Sequence, residues 1–413
     1  MAVILTKLMD KHIIKLKLHM ETNNKKTPLY EEHLKLGAKI VGFAGFSMPL
    51  YYKSIIEEHL NVRNNSGLFD ISHMGEILIK GKDSTKFLEH ILTAGIAELK
   101  PNNITYSLML NDNGGIIDDL TVYKFAGNDY MVVTNAVNTD KDFSWISLQK
   151  RSFDVDAKNM TDKIGLLSIQ GPRSRDIVYP LILNHFRQGH CGLFDFKYAA
   201  KPVSELNHFE FSCAKFKYIN VPAMISRSGY TGEFGFEIFI SSSDIKSLWS
   251  YFIKNAALSN LLPVGLGARD TLRFEAALPL YGNELDETIT PYDAGLERFL
   301  SQTKDFIGKE PLEKVKNKEK KLIFFKLSGK QIPRHLQKIL DENLKPIGCV
   351  ASGTYSPTNK IPIGSAYISD IHTSPASLKN FFIDIRGNFE KAEVINPPFL
   401  HRKHRKINKS TNK

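Results

Sequence analysis

Asn111-Asp112-Asn113-Gly114-Gly115-Ile116-Ile117-Asp118-Asp119-Leu120-Thr121-Val122-Tyr123 is the stretch from which the rest of the chain is read. The Asn/Asp/Gly cluster tolerates positive φ and the β-branched, aromatic run behind it favours extended backbone, so a tight turn feeding a strand is predicted. Side chains alternate across a strand, which puts Asp119, Thr121 and Tyr123 on one face and Asp118, Leu120 and Val122 on the other. Only one carboxylate therefore points with the tyrosine. A carboxylate and a phenol beside apolar neighbours can orient a polar, aromatic ligand and take a proton from it. The same aspartates can also cap a turn or face solvent, and spacing alone favours that blander role.

Outward from this turn, strands are expected at 105–110, 117–125 and 129–134, followed by a helix over 138–150. Toward the N-terminus, Thr27-Pro28 opens a short helix at 29–34, a second helix covers 53–64, the alternating Glu76-Ile77-Leu78-Ile79-Lys80 forms a strand, and a helix follows at 83–93. Toward the C-terminus, a second unit starts near Ile164, with its clearest strand at 235–240 and helices over 244–256 and 268–277. Beyond the lysine-rich stretch 309–321, short strands near 321–328, 346–352, 362–368 and 380–386 predict a small β domain. Irregular alternation of strand and helix, with hairpin turns, is an α+β pattern rather than a doubly wound one.

At 413 residues the chain exceeds one ordinary core, so two or three domains are expected. The net charge of +11 suggests nucleic-acid binding until it is located. Residues 1–26 carry +4 and residues 401–413 carry +6, which leaves the body nearly neutral and without a basic stripe. The tail His401-Arg402-Lys403-His404-Arg405-Lys406 can bind phosphates or an acidic partner, or simply be solvated. Leu5, Leu8, Met9, Ile13 and Leu16 lie opposite Lys7, Lys11 and Lys15, a basic amphipathic pattern that reads as a targeting segment or as a leader upstream of a start at Met20. Three cysteines without a CxxC argue against a disulfide framework or a cysteine-rich zinc site. There is no run of 18 apolar residues, so no membrane span is expected.

Gly265-Leu266-Gly267 lacks the third glycine of a dinucleotide fingerprint, and its glycines are expected to let the chain approach a neighbouring element before a helix. Arg269 and Arg273 share a face of that helix, where surface ion pairs with Asp270 or Glu275 are the bland expectation. The stretch from Ser226 to Glu237 is glycine-rich without a Lys-Ser/Thr and reads as a turn between strands, with Phe236 and Ile238 on one face of the second strand and Glu237 and Phe239 on the other. Glu237 can reach an amide-like edge of a ligand or face solvent, the latter being the default. His73, in Asp70-Ile71-Ser72-His73-Met74, has no placed partner and reads as structural.

Seven motifs in order carry a family resemblance: Thr27-Pro28-Leu29-Tyr30, Phe69 to Met74, Gly114 to Leu120, Ser168-Ile169-Gln170-Gly171-Pro172, Gly229-Tyr230-Thr231-Gly232-Glu233, Gly265 to Asp270, and Ser352 to Thr358. Together they resemble the glycine cleavage system T protein, the aminomethyltransferase family, from about residue 27 to about 400. The resemblance implies an α+β, three-domain, cloverleaf-like folate-binding fold with a C-terminal β-barrel-like domain. Its expected parts are a central folate-binding domain from 27–71 with 160–300, a second α+β domain at 72–159 and the barrel at 301–400. A disordered extension or leader at 1–26 and a basic tail at 401–413 flank them.

The activity it implies is transfer of the aminomethyl group from the lipoyl arm of the H protein to tetrahydrofolate. The products are 5,10-methylenetetrahydrofolate, ammonia and dihydrolipoyl protein. Tetrahydrofolate enters as a substrate, no metal is expected, and the lipoylated H protein is the partner. By motif position Asp119 is the catalytic carboxylate, Tyr106, Tyr123 and Tyr230 line the pocket, and Glu237 and Arg269 hold the pterin edge. A C-terminal arginine, Arg405 or Arg402, approaches the ligand. Leu278 stands where some members have a pocket tyrosine. The compartment expected is the cytoplasm, or the mitochondrial matrix if residues 1–26 are a targeting segment. A tetrahydrofolate-dependent transferase with another one-carbon donor, such as a sulfonium, stays open, because pocket residues alone do not fix the donor.

Overall fold

The computed structural model describes residues 24–183, 201–256, 260–315, 320–369, 378 and 381–400. The amphipathic segment at the N-terminus, the basic tail with Arg402 and Arg405, and Cys191 lie outside them. The chain divides into two compact units, Met1–Asp270 with Leu280–Lys318, and Thr271–Pro279 with Glu319–Lys413.

In the first unit the 111–123 stretch folds as read. Ile104–Leu110 and Ile116–Lys124 pair antiparallel, with Leu110 opposite Ile116 and Ile104 opposite Tyr123. Gly114 takes φ 84° in the turn. Gly115 is needed for a different reason: a Cβ there would lie 1.8 Å from the Glu287 carbonyl oxygen. The side chain of Asn111 closes the turn by accepting from the backbone N–H groups of Asn113 (2.9 Å) and Gly115 (3.0 Å). Tyr130–Thr134, Gly75–Lys80 and Asp156–Asn159 extend the pair into a five-stranded antiparallel sheet. One face of that sheet buries Ile77, Ile79, Leu120, Val122 and Val132 against Phe87, Leu88 and Ile91 of the helix Ser84–Ile91. Deleting a side chain from this core, such as Leu120 to alanine, costs about 2–5 kcal/mol.

The second sheet has seven strands in the order Ile182–Leu183, Phe211–Phe216, Pro222–Ser226, Gly235–Ser241, Ile164–Gln170, Ser66–Asp70, Leu261–Pro263. Its outer face buries Leu167, Ile169, Ile225, Phe236 and Ile238 with Leu248, Trp249 and Phe252 of the helix Ile245–Lys254. Glu237, as the alternation requires, is on the other face with Ser168 and Ser226, its cross-strand partners.

The ordered motifs meet in space within this unit. Thr27 donates to Asp70 Oδ2 (2.6 Å), which also pairs with His33 Nε2 (2.8 Å), while Ser72 N–H donates to Oδ1 (3.0 Å). Burial would raise the Asp70 carboxyl, but His33, Ser72 and Thr27 hold it below the usual carboxylate range. Gly265 N–H donates to buried Glu58 (2.9 Å), and Cβ atoms at Gly265 and Gly267 would fall 2.4 Å from Leu50 and 2.5 Å from Ile55, so the close approach expected there is present.

The second unit is a closed six-stranded barrel in the order Lys321–Leu327, Ile361–Ile368, Pro346–Ser356, Lys338–Leu340, Phe381–Ile385, Asn388–Ile395. Barrel closure pairs every strand on both edges. Within this unit Glu275 accepts from Ser356 (2.5 Å) and Thr358 (2.8 Å), which is where the Ser352 to Thr358 motif is used. Arg273 is 1% exposed and donates to the Leu278 carbonyl (3.1 Å). The sequence reading places it on an exposed helix surface; the helix face that carries it is buried instead. Among the described residues no helix is long and apolar enough to cross a membrane.

Candidate active site

The two aspartates part as the alternation predicts. Asp118 is fully buried on the helix side of the five-stranded sheet and accepts from Asn135 N–H (3.0 Å), Asn135 Nδ2 (2.9 Å) and Asn138 Nδ2 (2.6 Å). Asp119 is half-buried on the opposite face and accepts from Tyr106 Oη (3.0 Å) and Asn135 Nδ2 (2.8 Å). Asn135 thus holds both carboxylates with one amide nitrogen. The Tyr106 ring is itself fixed, meeting Phe299 edge-on with centroids 4.5 Å apart.

Burial first, and then the charge of Asp118, push the Asp119 carboxyl up to about 7, against the pull of Tyr106 and Asn135. A third carboxyl, Asp142, is raised further by burial and by Asp118, so it carries a proton at neutral pH. Asp119 is consequently poised to exchange a proton near neutrality, the condition for a general base. Removing the Tyr106 hydroxyl takes a donor from the carboxylate, so Tyr106→Phe should move the acid limb of the pH–rate profile upward by about one unit. A profile unchanged by Tyr106→Phe would deny the hydrogen bond that role.

A second constellation lies on the inner face of the seven-stranded sheet. Ser228 Oγ donates to Glu237 Oε2 (2.5 Å), Ser226 and Ser228 hydroxyls meet at 2.7 Å, and Tyr123 Oη reaches Ser226 at 3.4 Å. Glu237 is half-buried and bonded, not solvent-facing as the default would have it, because its strand lies inside the sheet. Burial raises its carboxyl, while Ser228 and the Arg269 charge pull it down. The Arg269 guanidinium stacks over the Tyr230 ring at 4.9 Å, and burial lowers its affinity for its proton against Tyr230 and Glu237. Gln170 braces the loop that carries Tyr230, donating to the Ser228 carbonyl (3.1 Å) and accepting from Thr231 (2.9 Å). Two of the ordered motifs therefore position one another.

Of the residues named from sequence, Asp119 and Tyr106 are in direct contact, Tyr123 connects through two serines to Glu237, and Arg269 is paired with Tyr230. Tyr123 is 1% exposed, its ring packed on Phe211 and Phe239. Arg405 falls outside the described residues. His73 sits edge-on to Phe43 (5.7 Å), and burial with the Arg269 charge drops its ring to about 4, so it stays neutral. Sequence reading missed Asn135, Asn138, Asp142 and the two serines. The available signal was the position of Asn135 just past the strand Tyr130–Thr134, level with Asp119.

One unit is an α+β fold presenting a perturbed carboxylate and a half-buried carboxylate–guanidinium set, the other is a closed barrel, and comparison with known proteins names the class. The model of the GCVT N-terminal domain matches residues 29–304, and that of the glycine cleavage T-protein C-terminal barrel domain matches residues 320–401. The chain belongs to the glycine cleavage T-protein family. It is 42% identical over 387 residues to the aminomethyltransferase of Caldanaerobacter subterraneus subsp. tengcongensis, covering 93% of this chain and 98% of that one. The aminomethyltransferase of Thermotoga maritima is 41% identical over 382 residues, covering 91% and 97%. The crystal structure of the glycine cleavage system aminomethyltransferase T from Bartonella henselae superposes with a TM-score of 0.79 at 31% identity, over 91% of this chain and 98% of that one.

Proposed function

We propose that the protein is the aminomethyltransferase of a glycine cleavage system. It takes the aminomethyl group from the lipoyl arm of the H protein and, with tetrahydrofolate, yields 5,10-methylenetetrahydrofolate, ammonia and dihydrolipoyl protein. The observation that carries the mechanism is the Asp119 carboxylate, held by Tyr106 and Asn135 on the sheet face that Tyr123 shares, and raised to about 7. In that state it orients the folate nitrogen that attacks the one-carbon unit and accepts the proton this nitrogen loses. Glu237 and Arg269 recognise the pterin edge, a donor and acceptor surface that a carboxylate and a guanidinium complement. Tyr106, Tyr123 and Tyr230 supply the aromatic surround, and Arg405 of the tail serves the anionic end of the ligand. With bacterial relatives, the cytoplasm is the compartment this reading assigns.

Direct binding tests the ligand half of the proposal. Tetrahydrofolate should bind saturably, and Arg269→Ala should weaken it on the order of tenfold to several hundredfold, as expected for truncating a buried charged partner. Affinity unaffected by Arg269→Ala and Glu237→Gln would remove those residues from the pterin site.

A further inference from the structure

Glu76 is 1% exposed, and neither of its carboxylate oxygens has a hydrogen-bond partner among the described residues. It is not part of the aliphatic core of its sheet. Ile77 and Ile79 of the same strand enter that core, so alternation sends Glu76 to the other face, the face of Asp119 and Tyr123. Cross-strand register makes this explicit: Tyr106 pairs with Thr121, Thr121 with Val133, and Val133 with Glu76, one continuous row between the Asp119 row and the Tyr123 row. Strand spacing puts the Glu76 and Asp119 backbones about 12 Å apart on that face.

An unpaired carboxyl in dry surroundings is costly, and native proteins rarely keep one without a use. Burial pushes this one well above the usual carboxylate range, favouring the protonated form. Resting on the aminomethyl-transfer reading, we propose that Glu76 is the acid that protonates the departing amine. As the carbon–nitrogen bond of the aminomethyl group breaks, the electron pair stays on nitrogen and the Glu76 proton completes ammonia. The carboxylate left behind regains a proton from the second folate nitrogen as that nitrogen closes the methylene bridge, the proton of the first having gone to Asp119 and from there to the lipoyl sulfur. Tetrahydrofolate supplies two N–H protons in all, one ending on ammonia and the other on the lipoyl sulfur, so the sequence balances without a further reactant.

The reverse reaction isolates this step, because ammonium is then a free substrate beside methylenetetrahydrofolate and dihydrolipoyl H protein. Glu76→Gln keeps the shape but cannot take a proton. Its kcat/KM for ammonium should fall on the order of a hundredfold, while directly measured tetrahydrofolate binding stays at the wild-type value. Glu76→Asp, which keeps the acid but retracts it, should recover part of the loss and serves if the glutamine variant does not fold. Wild-type kcat/KM for ammonium in either folded variant overturns the proposal, as does a loss of folate affinity equal to the loss of rate. A wild-type protein with no turnover in either direction refutes the aminomethyltransferase reading itself, which separates the two failures.

Discussion

Asp119→Asn should fold, bind tetrahydrofolate and lose at least about a hundredfold in turnover, the scale of a positioned general base. The amide oxygen still accepts from Tyr106, so the hydroxyl now 3.0 Å away keeps a partner. What disappears is the ability to carry a proton. The pH dependence gives a second signature. A carboxyl raised to about 7 binds its proton more tightly folded than unfolded, so folding stability declines as pH rises from about 4 through 7. The asparagine variant lacks that titration, so its stability relative to wild type should increase between pH 5 and pH 8. Chemical denaturation at the two pH values, alongside steady-state rates, measures both effects. Near wild-type activity in Asp119→Asn would end the assignment.

Asp118→Ala should fail differently, by losing stability. Asp118 accepts from the half-buried Asn135 N–H and from the buried Asn138 amide, and its removal takes that acceptor from both. A loss on the order of 3 kcal/mol is expected, against less than about 1 kcal/mol for Asp119→Ala, whose site is half-open. Turnover should fall too, because Asn135 would no longer be anchored to orient Asp119. Urea unfolding of the two alanine variants compares them directly. Equal stabilities would mean that the pair does not divide into a structural and a chemical member.

The division between Asp118 and Asp119 was legible because Leu120 and Val122 alternate with Thr121, and period two leaves no other assignment. The helices Ile55–Asn64 and Ile245–Lys254 and four of the six barrel strands were legible for the same reason, a visible period, while Lys338–Leu340 and Asn388–Ile395 were missed. Ile164–Gln170 was not legible either. It is buried along its entire length between two neighbours, so Gly165, Ser168 and Gln170 interrupt its apolar residues without marking a solvent face. Ser66–Asp70, also buried throughout, hides in the same way. Polar groups inside the fold were the other blind spot. Arg273 and Glu275 read as a charged helix surface, yet both are buried, and their partners Ser352 and Ser356, 79 and 81 residues away, cannot be inferred from helical spacing. Asn135 and Glu76 depend on register across three strands, which is fixed only when the sheet is assembled.

The family resemblance added what periodicity lacks, namely which carboxylate has chemistry and what meets it. Geometry then supplied reasons for the motifs. Gln170 is required by the loop of Tyr230, Thr27 by Asp70, and Gly265 by the close approach of the Leu50 backbone. Each pairing joins segments far apart in sequence, which accounts for their recurrence as ordered motifs.

The central claim is that this chain transfers a one-carbon unit from an aminomethylated lipoyl arm to tetrahydrofolate. Incubating the purified protein with tetrahydrofolate and aminomethylated H protein, and following methylenetetrahydrofolate and ammonia together, tests donor and acceptor at once. The account predicts stoichiometric formation of both, dependent on tetrahydrofolate and abolished in Asp119→Asn. Saturable folate binding with no ammonia released from aminomethylated H protein would contradict it and point to a different one-carbon donor.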